Sequence, residues 1–327
     1  MPRAYPQSEE KNLGDFLALF IFFLWFADKL IQRSAMRILV AILLIQTSVC
    51  SSSEIRAAFD IGTGKIKMQI AKVSEGHFEP LYCKAEQISA GSGPIVDQEG
   101  MITWEGQDRI VSVLQSLKDA GKAYGPAECQ AVATELFRTA KNGLEAAKNI
   151  SAQLDMEIKV ISPEEEGILS FLTIVEETRL DPEEIVVLDI GSGSFQITCQ
   201  LEGQYLVYSA PYGRYPTYAL VKNDEISALK ACLSGIDPRI IRRIEDCKNR
   251  VIGIGAHPKH ILKSQNDYDA NDVEEAILAN GEFDIDHTDL LLVKTIMGSL
   301  SISSVQYKYV RAGNTSGMFA QSLGTAE

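Results

Sequence analysis

The chain uses one short pattern twice, and that repetition limits what it can fold into. Residues 58–70 read Ala-Phe-Asp-Ile-Gly-Thr-Gly-Lys-Ile-Lys-Met-Gln-Ile, and residues 187–199 read Val-Leu-Asp-Ile-Gly-Ser-Gly-Ser-Phe-Gln-Ile-Thr-Cys. Each copy is an apolar strand ending in Asp-Ile-Gly-[Thr/Ser]-Gly, followed by the polar–apolar alternation of a second strand. The pair forms a hairpin whose turn carries glycine, a hydroxyl and a carboxylate. Glycine admits positive φ and lets backbone N–H groups approach an anion closely. The hydroxyl adds a donor, and Asp60 or Asp189 could hold a divalent cation against a bound phosphate. Because the second element is a strand, neither a dinucleotide-binding fingerprint nor a P-loop describes the motif, since both run into a helix. Two copies favour two homologous halves facing one nucleotide or phosphate chain.

From residue 54 onward strands alternate with helical patterns, which makes the fold class α/β. The hairpin at 56–73 leads into a further strand at Phe78–Ile88, and Ala90–Pro94 reads as a loop. Ile110, Val113, Leu114 and Leu117 mark one face of a helix stopping near Gly121. A short buried strand at Ala131–Thr134, a helix over Glu135–Leu154 and a strand at Glu157–Ile161 follow. Ser162, Pro163 and Glu165 form an N-cap, N1 proline and capping-box sequence. The helix they open is expected to bury Ile168, Phe171, Leu172 and Val175. At 100° per residue, that stripe takes in Glu164 and leaves Glu166 almost opposite, facing away from the core. Leu180–Glu184 reads as the link between halves. Beyond the second hairpin come a loop at Ala210–Pro216, helices near Glu225–Leu233 and from Asp237-Pro238, and a strand over Arg250–Gly255. That strand ends in Gly-Ile-Gly-Ala-His-Pro, another phosphate-side loop candidate. A helix at Asp289–Leu300, a strand at Val305–Val310 and a loop at Ala312–Met318 precede the last helix.

Charge and cysteines narrow the partners. A formal net charge of −13 sets the surface against nucleic acid, so a polyanion can bind only in a local cradle of N–H groups, Lys/Arg or metal. The six cysteines are scattered without zinc spacing, and Cys129 and Cys199 are expected to be core thiols.

The first 53 residues do not read as part of the folded domain. Phe16–Phe26 is an unbroken apolar run, shorter than the about 20 residues a membrane span needs. Met36-Arg37, Ile38–Ile45 and Gln-Thr-Ser-Val-Cys-Ser-Ser-Ser resemble a basic start, a short apolar run and a small-residue cleavage zone. Residues 36–53 are therefore expected to direct export, leaving 1–35 as an over-extended gene start. A retained membrane association through residues 16–50 is the alternative, and a cytoplasmic protein is a third.

The folded segments together resemble the exopolyphosphatase and guanosine pentaphosphate phosphohydrolase family, within the actin-like ATPase superfamily. The matching pieces are Asp60-Ile-Gly-Thr-Gly, Ala133-Thr-Glu-Leu-Phe-Arg-Thr-Ala-Lys-Asn142, Ile161-Ser-Pro-Glu-Glu-Glu-Gly167, Val187-Leu-Asp-Ile-Gly-Ser-Gly-Ser194 and Gly253-Ile-Gly-Ala256, in family order. The resemblance covers about 54–320 and implies two actin-like (ribonuclease H-like) lobes around a central cleft, over 54–181 and 182–327. The HD-type C-terminal extension of long members is not expected.

The resemblance also implies roles. Glu166 aligns with the general base that activates water, and Arg138 with the arginine of the Ala-Thr-x-x-x-Arg segment. Asp189, with Asp60 as its first-half counterpart, aligns with the aspartate beside Mg²⁺ (or Mn²⁺). Gly62, Thr63, Gly64, Gly191, Ser192, Gly193 and Ser194 would hold terminal phosphates, with Lys65 as an added cation. The implied substrate is polyphosphate or guanosine pentaphosphate, and the implied assembly is a homodimer. The chain departs from the family at Gln196, where a glutamate is usual, and at Thr63-Gly64-Lys65, Pro163 and Ala256-His257. Three activities fit these residues: phosphoanhydride hydrolysis, phosphate-chain binding without turnover, and ATP-dependent phosphotransfer.

Overall fold

The computed structural model describes residues 53–88, 94–247, 250–258, 267–280 and 284–324, with Leu19 and Ile21. The expected export or anchoring segment and most of the Ala90–Pro94 loop lie outside the described residues. Among the described residues no helix is long and apolar enough to cross a membrane.

Residues 53–327 form one compact unit built on two sheets. The first contains β1 (Glu54–Ile61), β2 (Lys65–Ser74), β3 (His77–Gln87), β4 (Glu128–Ala133) and β5 (Glu157–Val160), in the order β3-β2-β1-β4-β5. The second contains β6 (Val186–Ile190), β7 (Phe195–Leu201), β8 (Gln204–Ala210), β9 (Val251–Gly255), β10 (Asp267–Asp269) and β11 (Ser304–Tyr307), in the order β10-β11-β9-β6-β7-β8. In both, an antiparallel meander of three strands pairs through its first strand with a parallel neighbour, β1 with β4 and β6 with β9. The twin motif thus reports a duplicated topology.

Each sheet has its own apolar core. Phe59, Ile66, Met68 and Ile70 pack with Ile110, Leu114 and Leu117 of α1 (Trp104–Gly121). Leu188, Phe195 and Ile197 pack with Leu290, Val293 and Ile296 of a long helix near the C-terminus. Of the two cysteines expected in cores, Cys199 is fully buried and its thiol is pushed up to about 12 by burial, whereas Cys129 is half-buried.

The helix expected over Glu135–Leu154 is broken into α2 (Glu135–Thr139) and α3 (Gly143–Leu154). Asn142 is the cause. Its amide bonds both backbone groups of Ile102, accepting from the N–H at 2.8 Å and donating to the carbonyl at 3.0 Å. Two such bonds, worth about 1 kcal/mol each, outweigh the one or two helical bonds lost at the break. Ala140 accordingly adopts an extended backbone.

Next comes α4 (Pro163–Thr178), capped as expected: Ser162 Oγ accepts from Glu165 N–H and Glu165 Oε2 accepts from Ser162 N–H. Its burial differs from the expected single stripe. Phe171 and Ile174 pack on the second sheet, while Leu169 packs with Val132, Ile161 and Met318 on the other side. Ile168, Leu172 and Val175 are only half-buried, Glu164 is exposed and Glu166 is buried. A helix held from both sides has no single solvent face, so angular position relative to one stripe cannot place Glu166.

In the second lobe the loop expected at Ala210–Pro216 gives way to α5 (Arg214–Lys222) from Arg214 onward. Then come α6 (Ile226–Leu233), α7 (Pro238–Asp246), α8 (Ala270–Ala279), α9 (Ile285–Leu300) and α10 (Thr315–Gly324). Helix α10 returns to the first lobe, where Phe319 packs with Ala58, Ala71, Val73 and Phe78.

Candidate active site

The two repeated turns are closed alike and face each other. Gly62 N–H donates to the Lys65 carbonyl at 3.0 Å, and Gly191 N–H donates to the Ser194 carbonyl at 2.8 Å. These two N–H groups are therefore spent on turn closure and leave anion binding to their neighbours in each turn. A Cβ on Gly64 would lie 3.2 Å from Ser192 Oγ, and one on Gly193 would lie 3.1 Å from Thr63 Oγ1 and 2.8 Å from Glu135 Cγ. The hydroxyl of each turn thus lies against a glycine of the other, Ser192 on Gly64 and Thr63 on Gly193, and glycine is what lets the turns approach so closely.

The second turn is braced from behind. Its Gly191, Ser192 and Gly193 carbonyls accept from the N–H groups of Arg214, Tyr215 and Gly213, which satisfies the open first turn of α5 without a side-chain cap. Arg214 Nε donates to buried Asp289 of α9 at 3.0 Å, fixing that helix start in place. Nothing in the spacing of Arg214 and Asp289 announces this pair.

Glu166 enters from α4. Its Oε2 accepts from Arg138 Nη2 at 2.6 Å, and the same nitrogen donates to Glu135 Oε2 at 2.7 Å while Nη1 donates to the Ile161 carbonyl at 3.0 Å. Burial raises the Glu166 carboxyl from its ordinary 4.5 to about 7, against the opposing pull of Arg138 and with help from the Asp189 and Asp60 charges. The carboxyl expected to face away from the core is instead buried, and burial pushes its pKa up to about 7. Arg138 Nε is buried with no hydrogen-bond partner among the described residues.

Asp60 and Asp189 occupy equivalent places, each one residue before the end of its strand. In the hairpin register Asp60 lies opposite Lys67, and Asp189 lies opposite Gln196. Lys67 Nζ stands 3.5 Å from Asp60 Oδ2, with its side chain 30% exposed. Burial alone would lower the Lys67 pKa, but Asp60, Asp189 and Glu166 outweigh it and hold the ammonium above its ordinary value. Asp189 is raised by burial, opposed by a 2.5 Å bond from Ser170 Oγ and by Lys67. Gln196 is buried and donates through Nε2 to Ser194 Oγ at 3.1 Å and to Ser209 Oγ at 3.2 Å.

Lys65, expected as the added cation, is exposed at the start of β2; Lys67 is the lysine that reaches the aspartates. The signal was in the sequence. Counting outward from the Gly62–Lys65 closure pairs Ile61 with Ile66 and Asp60 with Lys67. The second missed group is the loop before α10. Asn314 N–H donates to Asp60 Oδ2 at 3.3 Å, and Gly313, at φ +61°, lies against Lys67 and Asp60. Of the Gly-Ile-Gly-Ala-His-Pro segment, Gly255 abuts Asp189 at φ +88°, but His257 turns into the core. Its Nδ1 meets Tyr268 Oη at 2.5 Å, and burial drives its pKa down to about 4.

The donor set can be tested against the Mg²⁺ or Mn²⁺ that the resemblance implies. Asp60 and Asp189 supply two carboxylates, but among the described residues no group of three His, Cys, Asp or Glu side chains converges as a metal site. An ammonium already stands beside Asp60. Two unit charges 4 Å apart repel by about 4 kcal/mol at an effective dielectric of 20, and a divalent ion doubles that. These residues do not fit a resident divalent cation.

Twin glycine turns, one per lobe, face each other in a two-lobed protein of actin-like fold. Over just under half of its length this chain is similar to the Ppx/GppA phosphatases. The Ppx/GppA phosphatase family model matches residues 69–223. Exopolyphosphatase 1 of Mycobacterium tuberculosis is 23% identical over 155 residues, 47% of this chain and 45% of that protein, and its Mycobacterium leprae counterpart is 23% identical over 139 residues, covering 42% and 41%. The chain thus spans about half the length of the curated relatives it matches. The crystal structure of the Aquifex aeolicus Ppx/GppA family member superposes with a TM-score of 0.64 at 16% identity, covering 84% of this chain and 99% of that one. An exopolyphosphatase from Cytophaga hutchinsonii gives 0.63 at 15% identity, covering 83% and 98%. At such identities the structures speak to the fold, and it is the expected one.

Proposed function

We propose that the protein is an exopolyphosphatase-like hydrolase that releases orthophosphate from the end of a phosphoanhydride chain, either inorganic polyphosphate or guanosine pentaphosphate. The observation that carries this reading is Glu166: a buried carboxyl with a pKa of about 7, held by Arg138 and within the field of Asp60 and Asp189, where the lobes meet.

In-line hydrolysis needs a positioned water, a base for its proton and donors on the phosphoryl oxygens. The Glu166 carboxylate takes the proton as the water oxygen bonds to the terminal phosphorus. The bridging P–O bond breaks, and its electron pair stays on the shortened chain. In this reading the N–H groups of Thr63, Gly64, Ser192, Gly193 and Ser194, with the turn hydroxyls, bind terminal phosphoryl oxygens. Arg138 keeps Glu166 oriented.

Gln196 favours a second reading, a phosphate-chain binder with weak turnover, because an amide can neither take a proton nor carry charge. A phosphate-release assay on both substrates, with and without Mg²⁺, decides. Release that disappears in Glu166→Gln supports hydrolysis, and tight binding without release supports the second reading. The proposed export through residues 36–53 is checked by mass spectrometry of the mature N-terminus.

A further inference from the structure

The duplicated hairpins give each lobe one position directly opposite its aspartate, Lys67 opposite Asp60 and Gln196 opposite Asp189. Both are hydrogen-bond donors, and Lys67 offers no acceptor that would draw a cation, whereas Gln196 keeps only a neutral amide oxygen. Lys67 Nζ is within 3.5 Å of Asp60 Oδ2. It is also roofed: Gly313, in a left-handed conformation, lies so close that a Cβ there would strike Lys67 Nζ, and would sit 2.7 Å from Asp60 Oδ2. The next residue, Asn314, donates its N–H to the same oxygen. The loop is fastened by Thr315 and Ser316 hydroxyls donating to Gln69 Oε1 at 3.1 and 3.0 Å, and by Thr173 Oγ1 donating to the Gly313 carbonyl at 3.1 Å. The ammonium is therefore held between the Asp60 carboxylate and the Gly313 backbone, under a loop that is itself fastened.

From this geometry we propose that Lys67 is a built-in counter-charge: its ammonium stands where a divalent cation would otherwise sit between the aspartates and the phosphate chain. It lets the cleft hold that chain with no resident metal ion. The proposal rests on the cleft being a phosphate site, as in the reading above. Lys67 neutralises Asp60, which would otherwise repel the incoming anion, and it keeps donors free for phosphoryl oxygens. Gln196 supplies no counter-charge in the second lobe, but it donates to Ser194 Oγ, which leaves the Ser194 proton free to be donated outward.

Direct Mn²⁺ titration of the full chain, followed by electron paramagnetic resonance, tests this without any turnover. The unsubstituted protein is expected to show no Mn²⁺ site tighter than about 1 mM. Lys67→Met, which keeps length and removes charge, is expected to gain one site about tenfold tighter or more, as the repulsion is lifted. Lys67→Arg, which keeps the charge, should gain none, and thermal melts of both variants confirm that they fold. Equal Mn²⁺ binding by the unsubstituted protein and Lys67→Met overturns the proposal, as does a gain in Lys67→Arg matching that in Lys67→Met. Calorimetry with tripolyphosphate in the presence of EDTA supplies the second readout: binding by the unsubstituted protein that falls about tenfold in Lys67→Met supports the assignment, and binding only after Mg²⁺ is added refutes it. If no phosphate is released from any substrate while the Mn²⁺ pattern holds, the hydrolase reading fails and the counter-charge assignment stands.

Discussion

Arg138 Nη2 donates to Glu166 Oε2 at 2.6 Å, tying the short helix α2 to the first turn of α4. The Arg138 side chain is 13% exposed and that of Glu166 is 11% exposed. The bond fixes where the proposed base points, and the helix break at Asn142 ends α2 just after Arg138. Glu166 remains hard to ionise because burial and two neighbouring aspartates outweigh the guanidinium. A group so balanced can accept a proton at neutral pH and release it again.

Replacing Glu166 by glutamine keeps its shape and an acceptor for Arg138 but removes the base. Phosphate release is expected to fall by about 10²- to 10⁴-fold, with substrate affinity changed little. A stopped assay and calorimetric binding on the same preparation check this, and unchanged turnover would refute the role.

Stability should respond to the same group. With the folded pKa raised to about 7 from 4.5, both folded and unfolded carboxyls are protonated in acid and Glu166 costs nothing. As pH rises through that window the unfolded chain loses its proton first, so stability falls, by about 3 kcal/mol once the pH exceeds 7. Urea melts of the unsubstituted protein and Glu166→Gln should therefore agree near pH 4 and diverge by pH 8, with the variant the more stable. Activity is expected to rise through about pH 7 as the carboxylate forms.

Gly313 occupies φ +61° against Lys67 and Asp60. Alanine there meets both backbone strain and steric conflict, at a cost of about 1–3 kcal/mol. The midpoint of chemical denaturation should drop, and phosphate-chain affinity should fall with it, because the displaced loop carries the Asn314 N–H away from Asp60.

Gln196→Glu restores the residue usual in the family but removes two amide donations, to Ser194 and Ser209. In a buried position beside Asp189 the new carboxyl is expected to lower stability by about 1–3 kcal/mol at pH 8 and to bring no gain in phosphate release. A rise in turnover would show instead that a missing carboxylate limits the enzyme.

Local rules carried far along this chain. The capping box at Ser162–Glu165, the α1 stripe and the twin hairpins depend on neighbours within a few residues, and each formed as its residues dictate. Features set by distant partners were illegible. Asn142 breaks a helix because Ile102, forty residues back, offers it two backbone bonds. Helix α5 starts at Arg214 because the second turn presents carbonyls to it and Asp289 holds the arginine.

The duplicated Asp-Ile-Gly motif by itself determined two matched hairpins, each with glycine and hydroxyl beside an aspartate. A hairpin register is a local count, so even the pairing of Lys67 with Asp60 was implicit in it. What only the tertiary structure decided is which way α4 turns Glu166 and what closes over Lys67. Packing of α4 from both sides buries a carboxylate that helical periodicity turns away from the core. The Gly313–Asn314 loop comes from the far end of the chain, and burial and charge at a site assembled from such distances cannot be read from any one stretch of sequence.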